Sequence, residues 1–282
     1  MLNYLFLLLK KHISSILLIG ETMKKRLISG ILLALIFIGF YFLDSKYFII
    51  LTTLLSILMY KEIISLKKYP LPVIILGLIS IVSIIIFNQN IYDTILKVKY
   101  YPLIFTFVSL LIPTLIPKYQ DNYLTSDAFS LSAMIIFIGL SLCSFTLFNT
   151  YNKPILLYLV SCVIFNDIFA FLIGSKFGKT KYSKISPNKS LEGNIAGISF
   201  GLVFGFLTYY FLVSKERVII TIIITLLLNI ACQIGDLLFS KIKREHNIKD
   251  FSNLIPGHGG ILDRFDSLLL TTLVYALIIA VI

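Results

Sequence analysis

The feature that most narrows the fold of this chain is a series of long apolar runs almost free of charged side chains. They fall near residues 27–43, 47–60, 73–87, 100–116, 130–149, 155–174, 194–214, 217–239 and 267–282. A run of roughly 18 or more apolar residues can cross a hydrocarbon core as a helix, and in lipid the helices of a bundle satisfy their own backbone hydrogen bonds. The fold class expected is therefore all-α, a polytopic transmembrane bundle of about nine spans, the second, third and ninth being short. Composition agrees, since the chain is 58% hydrophobic and only 14% charged, where a soluble chain is about a quarter charged.

Orientation follows from the basic residues, because short cytoplasmic loops carry the excess of Lys and Arg. Alternating the nine spans puts 17 Lys and Arg on the side of Lys24 and six on the other, with Lys10 and Lys11 left aside. A multi-pass protein of the cell membrane is expected, with its amino terminus and both long basic loops in the cytoplasm. Residues 1–22 lack the small-residue cleavage site of a signal peptide. They are expected to be an amino-terminal extension, with Met23 as the natural start. Residues 23–155 then form a transmembrane scaffold, and 156–282 a transmembrane catalytic region.

The formal charge of +11 does not indicate nucleic-acid binding, because the basic residues lie in short segments between apolar runs. It suits an anionic lipid surface or a phosphorylated substrate. Cys143, Cys162 and Cys232 stand singly in apolar segments, as small packing residues do, and give no disulfide or metal framework.

Polar residues of another kind begin at Asn166. Ionisable groups inside a span cost about 2.5 to 3.5 kcal/mol on insertion scales and mark function by default; Asp167 and Asp236 are two such groups. Gln233, Asp236 and Ser240 are spaced to share one helix face, which Lys243 and Arg244 continue. The next loop crowds Lys249, Asp250, His258, Asp263, Arg264 and Asp266 around Gly257, Gly259 and Gly260. Glycines let backbone amides approach a ligand, and Arg and Lys donate to phosphate. Asp oxygens beside phosphate hold a hard cation such as Mg²⁺, for which Asp236 and Asp263 are the candidate pair. The earlier loop, 174–193, offers Lys179, Lys184, Lys189, Ser186 and Ser190, a basic surface that by pattern alone could also be a polybasic patch for anionic lipid. There is no P-loop or Rossmann glycine string, and His12, His246 and His258 make a poor zinc set.

The run SKIKREHNIKDFSNLIPGHGGILDRFD resembles the signature of the phosphatidate cytidylyltransferase family. Its fixed positions correspond to Ser240, Lys243, Arg244, Lys249, Asp250, Pro256, His258, Gly259, Gly260, Asp263, Arg264 and Asp266. ISPNKSLEG resembles the family's second motif, with Asn188, Ser190 and Leu191 replacing three of its members; Asn166, Asp167, Gly174 and Gly178 fit the pattern ahead of it. The resemblance is specific over roughly 160–270 and implies transfer of a cytidylyl group from CTP to phosphatidic acid, giving CDP-diacylglycerol and pyrophosphate. It implies Mg²⁺ on Asp236 and Asp263, with a monovalent cation such as K⁺ able to share the centre. It also implies a catalytic set of Asp236, Asp263, Lys243 and Arg244, and substrate contacts from Ser186, Lys189, Ser240, Lys249, Asp250, His258, Gly259, Gly260, Arg264 and Asp266. Substrates and membrane lipids are the expected partners, with a homodimer as an assembly common among membrane enzymes. A CTP-dependent polyprenol or phytol kinase, a lipid transporter and a non-catalytic scaffold are the rival readings. The last leaves the dense charged cluster unexplained.

Overall fold

The computed structural model describes residues 30, 32, 35–88, 99–183, 185–255 and 259–281. The extension 1–22, Met23, Lys184, Pro256, Gly257 and His258 lie outside the described residues. Helix α1 covers 35–42. It is followed by α2 (Ser45–Ile64), α3 (Leu71–Phe87), α4 (Tyr101–Leu111, continued by a 3-10 turn Ile112–Leu115), α5 (Thr125–Tyr151), α6 (Lys153–Phe177), α7 (Leu191–Leu212), α8 (Val218–Glu245) and α9 (Leu262–Val281). Each coincides with one expected apolar run. Six of them, α2 and α5 to α9, are long and apolar enough to cross a membrane by length and composition. Helix α3, and α4 with its 3-10 turn, are shorter, so the expectation of about nine spans holds only approximately.

The bundle is apolar outward and partly polar inward, the arrangement that hydrocarbon solvent favours. Ile79, Ile164, Phe171, Ile219, Ile223 and Leu277 are exposed, whereas Thr52, Ser56, Thr146, Asn166, Thr225 and Asn229 are buried. One apolar core joins α2, α3 and α5 to the loop before α9 through Tyr60, Ile84, Leu131, Ile135, Phe239, Phe251 and Leu262. A second, around Phe48, Phe148, Tyr158, Leu159, Cys232 and Tyr275, ties α5 and α6 to α8 and α9. Cys143, Cys162 and Cys232 are all free and buried.

Helix α7 is held against its neighbours by a ladder of buried glycines, Gly193, Gly197, Gly201 and Gly205. Spaced by four, they line one face. A Cβ at Gly197 would stand 2.7 Å from Asn166 Oδ1, so the missing side chain makes room for a polar group of α6. Within that seam Asn166 Nδ2 donates to the Asn229 carbonyl at 3.0 Å, and Gln233 Nε2 donates to Asn166 Oδ1 at 3.2 Å and to the Asn194 carbonyl at 2.8 Å. Three helices are thus locked in register beside the polar end of α8.

Several helices run past the predicted apolar limits. α8 continues to Glu245, and its 28 residues reach about 42 Å at 1.5 Å per residue, beyond a hydrocarbon core of about 30 Å. Asp236 lies about 27 Å along the helix from Val218, and Ser240, Lys243 and Arg244 continue past the length that such a core would cover if it began there.

Candidate active site

At this end of the bundle α6, α7 and α8 border a cavity of about 490 Å³ whose lining includes Asn166, Asp167, Ser175, Lys189, Asn194 and Asp236. That volume is within the range of about 300 to 1,000 Å³ usual for small-molecule sites. Its roof is the loop after α6, folded back on itself. Leu191 N–H donates to the Thr180 carbonyl at 2.9 Å, Lys181 and Ser190 form an antiparallel bridge, and Glu192 accepts from the Lys179 and Thr180 amides. Ser190 caps α7, its hydroxyl accepting from Gly193 N–H at 3.2 Å, as N-cap hydroxyls do. In the turn before it, Lys189 N–H donates to the Ser186 carbonyl at 3.0 Å. Ser186 thus shapes the turn that presents Lys189.

Lys189 reaches down to α8, its ammonium 2.6 Å from Asp236 Oδ2. Ser240 donates to the other oxygen, Oδ1, at 3.2 Å. Asp236 also interacts electrostatically with Asp167 of α6 and Asp266 of α9. Carboxylates from three helices therefore lie within electrostatic range of one another, a repulsion that a bound cation would relieve. Gly235 lets α9 approach this point, since a Cβ there would stand 2.8 Å from the Asp266 carbonyl.

Asp263 sits in a second, more enclosed group. Its Oδ2 accepts from Phe251 N–H and Gly260 N–H, both at 2.9 Å, and its Oδ1 lies 2.6 Å from the Lys243 ammonium. Gly259 has φ +85°, a left-handed conformation that glycine adopts without the strain of a side chain. A Cβ there would also crowd Asp263 Oδ2. Asp263 is thus the hub on which the glycine segment is wound. Arg244 donates to the Ile248 carbonyl at 3.1 Å and closes the end of α8. Lys249, Asp250 and Arg264 are exposed, and Arg264 interacts electrostatically with Asp167.

Of the residues singled out in sequence, the structure brings Lys189, Ser240 and Asp236 together, and separately Lys243, Asp263, Gly259 and Gly260. His258 lies outside the described residues. Among the described residues no set of three or more His, Cys, Asp or Glu side chains is arranged as a ready metal cage. Two polar positions went unremarked in sequence: Asn194 and, above all, Glu62. The buried carboxylate of Glu62 accepts from Ile261 N–H at 2.8 Å and Leu262 N–H at 2.7 Å. It ends an apolar helix beside Lys61, where an acidic residue reads as one that faces water.

A family profile described as "Cytidylyltransferase family" matches residues 24–282. A protein of Bacillus subtilis named phosphatidate cytidylyltransferase is 31% identical over 258 residues, covering 88% of this chain and 94% of its own length. One of the same name from Staphylococcus haemolyticus is 29% identical over 248 residues, covering 87% and 94%. A third, from Rickettsia bellii, is 38% identical over 183 residues, covering 60% of this chain and 77% of its own length.

Proposed function

The chain belongs to the cytidylyltransferase family, and on that premise we propose that it is a multi-pass membrane enzyme transferring the cytidylyl group of CTP to phosphatidic acid. The products are CDP-diacylglycerol and pyrophosphate. The observation that carries the reading is two pairs of cation and carboxylate joined to the polar end of α8, Lys189 with Asp236 in the lining of the 490 Å³ cavity and Lys243 with Asp263 in the more enclosed group.

In the reaction an oxygen of the lipid phosphate forms a bond to the α-phosphorus of CTP while the bond from that phosphorus to the bridging oxygen of pyrophosphate breaks. A phosphate monoester is already anionic near neutral pH, so positioning and charge neutralisation carry the catalysis. Members of this family use a divalent metal. Here Mg²⁺ would be held by Asp236 and Asp263, with Asp167 and Asp266 beside Asp236 and K⁺ as a second cation, and it would neutralise the phosphates of CTP. Asp263 Oδ2 is committed to two backbone amides, so Oδ1 is the oxygen it has to offer. Lys189 and Lys243 now hold the oxygens in question, and each would turn from its carboxylate to a phosphate oxygen of the nucleotide. Arg244, Lys249 and Arg264 would hold the leaving pyrophosphate. Ser186, Ser240, His258, Gly259 and Gly260 would complete the nucleotide contacts, and Asp250 and Asp266 would orient the cations. CTP would arrive from the cytoplasm, the side on which the excess of Lys and Arg is proposed to lie, while the acyl chains remain in the bilayer.

The test uses the purified chain in detergent with phosphatidic acid, Mg²⁺ and CTP labelled on either its α- or its γ-phosphorus. Label from the α position in the lipid product, with γ label released as pyrophosphate, is the result expected. Transfer of γ label to lipid would overturn the reading in favour of a kinase.

A further inference from the structure

Glu62 stands in the last turn of α2, a helix that contributes nothing to the lining of the cavity. It is 4% exposed, and its carboxylate reaches across to the segment that precedes α9. Oε1 accepts from Ile261 N–H at 2.8 Å and from the Ser252 hydroxyl at 2.7 Å, and Oε2 accepts from Leu262 N–H at 2.7 Å. Leu262 opens α9, so these amides are among the donors that a helix start leaves without intrahelical partners. A carboxylate is well matched to them in charge as well as in geometry. The contact is tight: a Cβ on Gly260 would stand 2.6 Å from Oε1 and 2.7 Å from Oε2. The second glycine of the His-Gly-Gly string therefore has a physical reason that lies on another helix.

Two carboxylates thus grip one turn from opposite sides. Asp263 binds Phe251 and Gly260 from within, and Glu62 binds Ser252, Ile261 and Leu262 from α2. The first turn of α9 bears Asp263 and Arg264, and Asp266 follows one turn on. We infer that Glu62 is a positioning residue of the cytidylyl transfer, fixing the start of α9 and with it the placement of Asp263, Arg264 and Asp266. The inference rests on the reading of the active centre given above. It makes α2 part of the machinery and not only of the scaffold.

The test uses the full chain in lipid nanodiscs. Glu62→Gln keeps one acceptor but turns an NH₂ group toward a donor, so kcat should fall tenfold or more while KM for phosphatidic acid stays within twofold. Amide exchange at Ile261 and Leu262 should rise at least tenfold in the same variant, with exchange in α6 unchanged. Glu62→Ala, Gly260→Ala and the double variant give an independent check. The methyl group of Gly260→Ala should lower kcat tenfold or more beside Glu62, and less than threefold once the carboxylate is gone. Wild-type kcat and exchange in Glu62→Gln, or effects that simply multiply in the double variant, would overturn the inference alone. A wild type that makes no CDP-diacylglycerol would refute the reading of the centre and this inference with it.

Discussion

Replacing Lys243 by methionine removes an ammonium from a pair whose side chains are 11% and 3% exposed, while much of the apolar stem is retained. The partner left behind is Asp263, a carboxylate shut away from water. Removing one member of a buried ion pair costs about 3 to 5 kcal/mol, because the remaining charge is uncompensated. Asp263 keeps its bonds from Phe251 and Gly260, which places the expected loss at the lower end, about 3 kcal/mol. Asp263→Asn in the Lys243→Met background removes the stranded charge and preserves a carbonyl oxygen for those two amides. The double variant should then be more stable than the sum of the single losses implies, by about 2 kcal/mol, within the range for residues in contact. Equilibrium unfolding in mixed micelles of mild and denaturing detergent measures all four proteins. Coupling under about 0.5 kcal/mol would refute the claim that this pair is a buried electrostatic unit.

Two further outcomes follow from the same geometry. Lys189→Met breaks a pair whose side chains are 19% and 32% exposed, so stability should change by less than about 1 kcal/mol. If its ammonium serves nucleotide phosphate, KM for CTP should rise about tenfold or more, the equivalent of a hydrogen bond to a charged group, as steady-state kinetics would show. Gly197→Leu forces a side chain against Asn166 Oδ1 and should destabilise the bundle by about 1 to 3 kcal/mol. Ile195→Leu, on the lipid-facing side at 58% exposure, should be neutral in the same unfolding assay.

The helices were legible because lipid imposes one strong rule, and nine runs obeying it became nine helices among the described residues. Their ends were less legible, for a reason visible in α5 and α9. Hydropathy stops where charge begins, yet α5 starts at Thr125, ahead of the apolar run, because Asp127 accepts from Leu124 N–H at 2.9 Å and pairs with Lys67. Likewise α9 starts at Leu262 and not near 267, since Asp263 and Arg264 ride in a first turn capped from α2 and Asp266 follows one turn on. The α8 face was readable from spacing alone, and Ser240 does bond to Asp236. The sequence offered no means of pairing Lys189 with Asp236, which are 47 positions apart, or Glu62 with Leu262, whose bond spans 200 positions. Such contacts are made by packing, and no local pattern encodes them.

The most direct test of the central claim, that the carboxylates at the end of α8 hold the reaction centre, is a titration of cytidylyl transfer with Mg²⁺ in wild type and Asp236→Asn. The account predicts Mg²⁺-dependent CDP-diacylglycerol formation by wild type and a loss of at least a hundredfold in kcat/KM in Asp236→Asn, with the variant still folded. An Asp236→Asn protein with wild-type rate and Mg²⁺ dependence would contradict it.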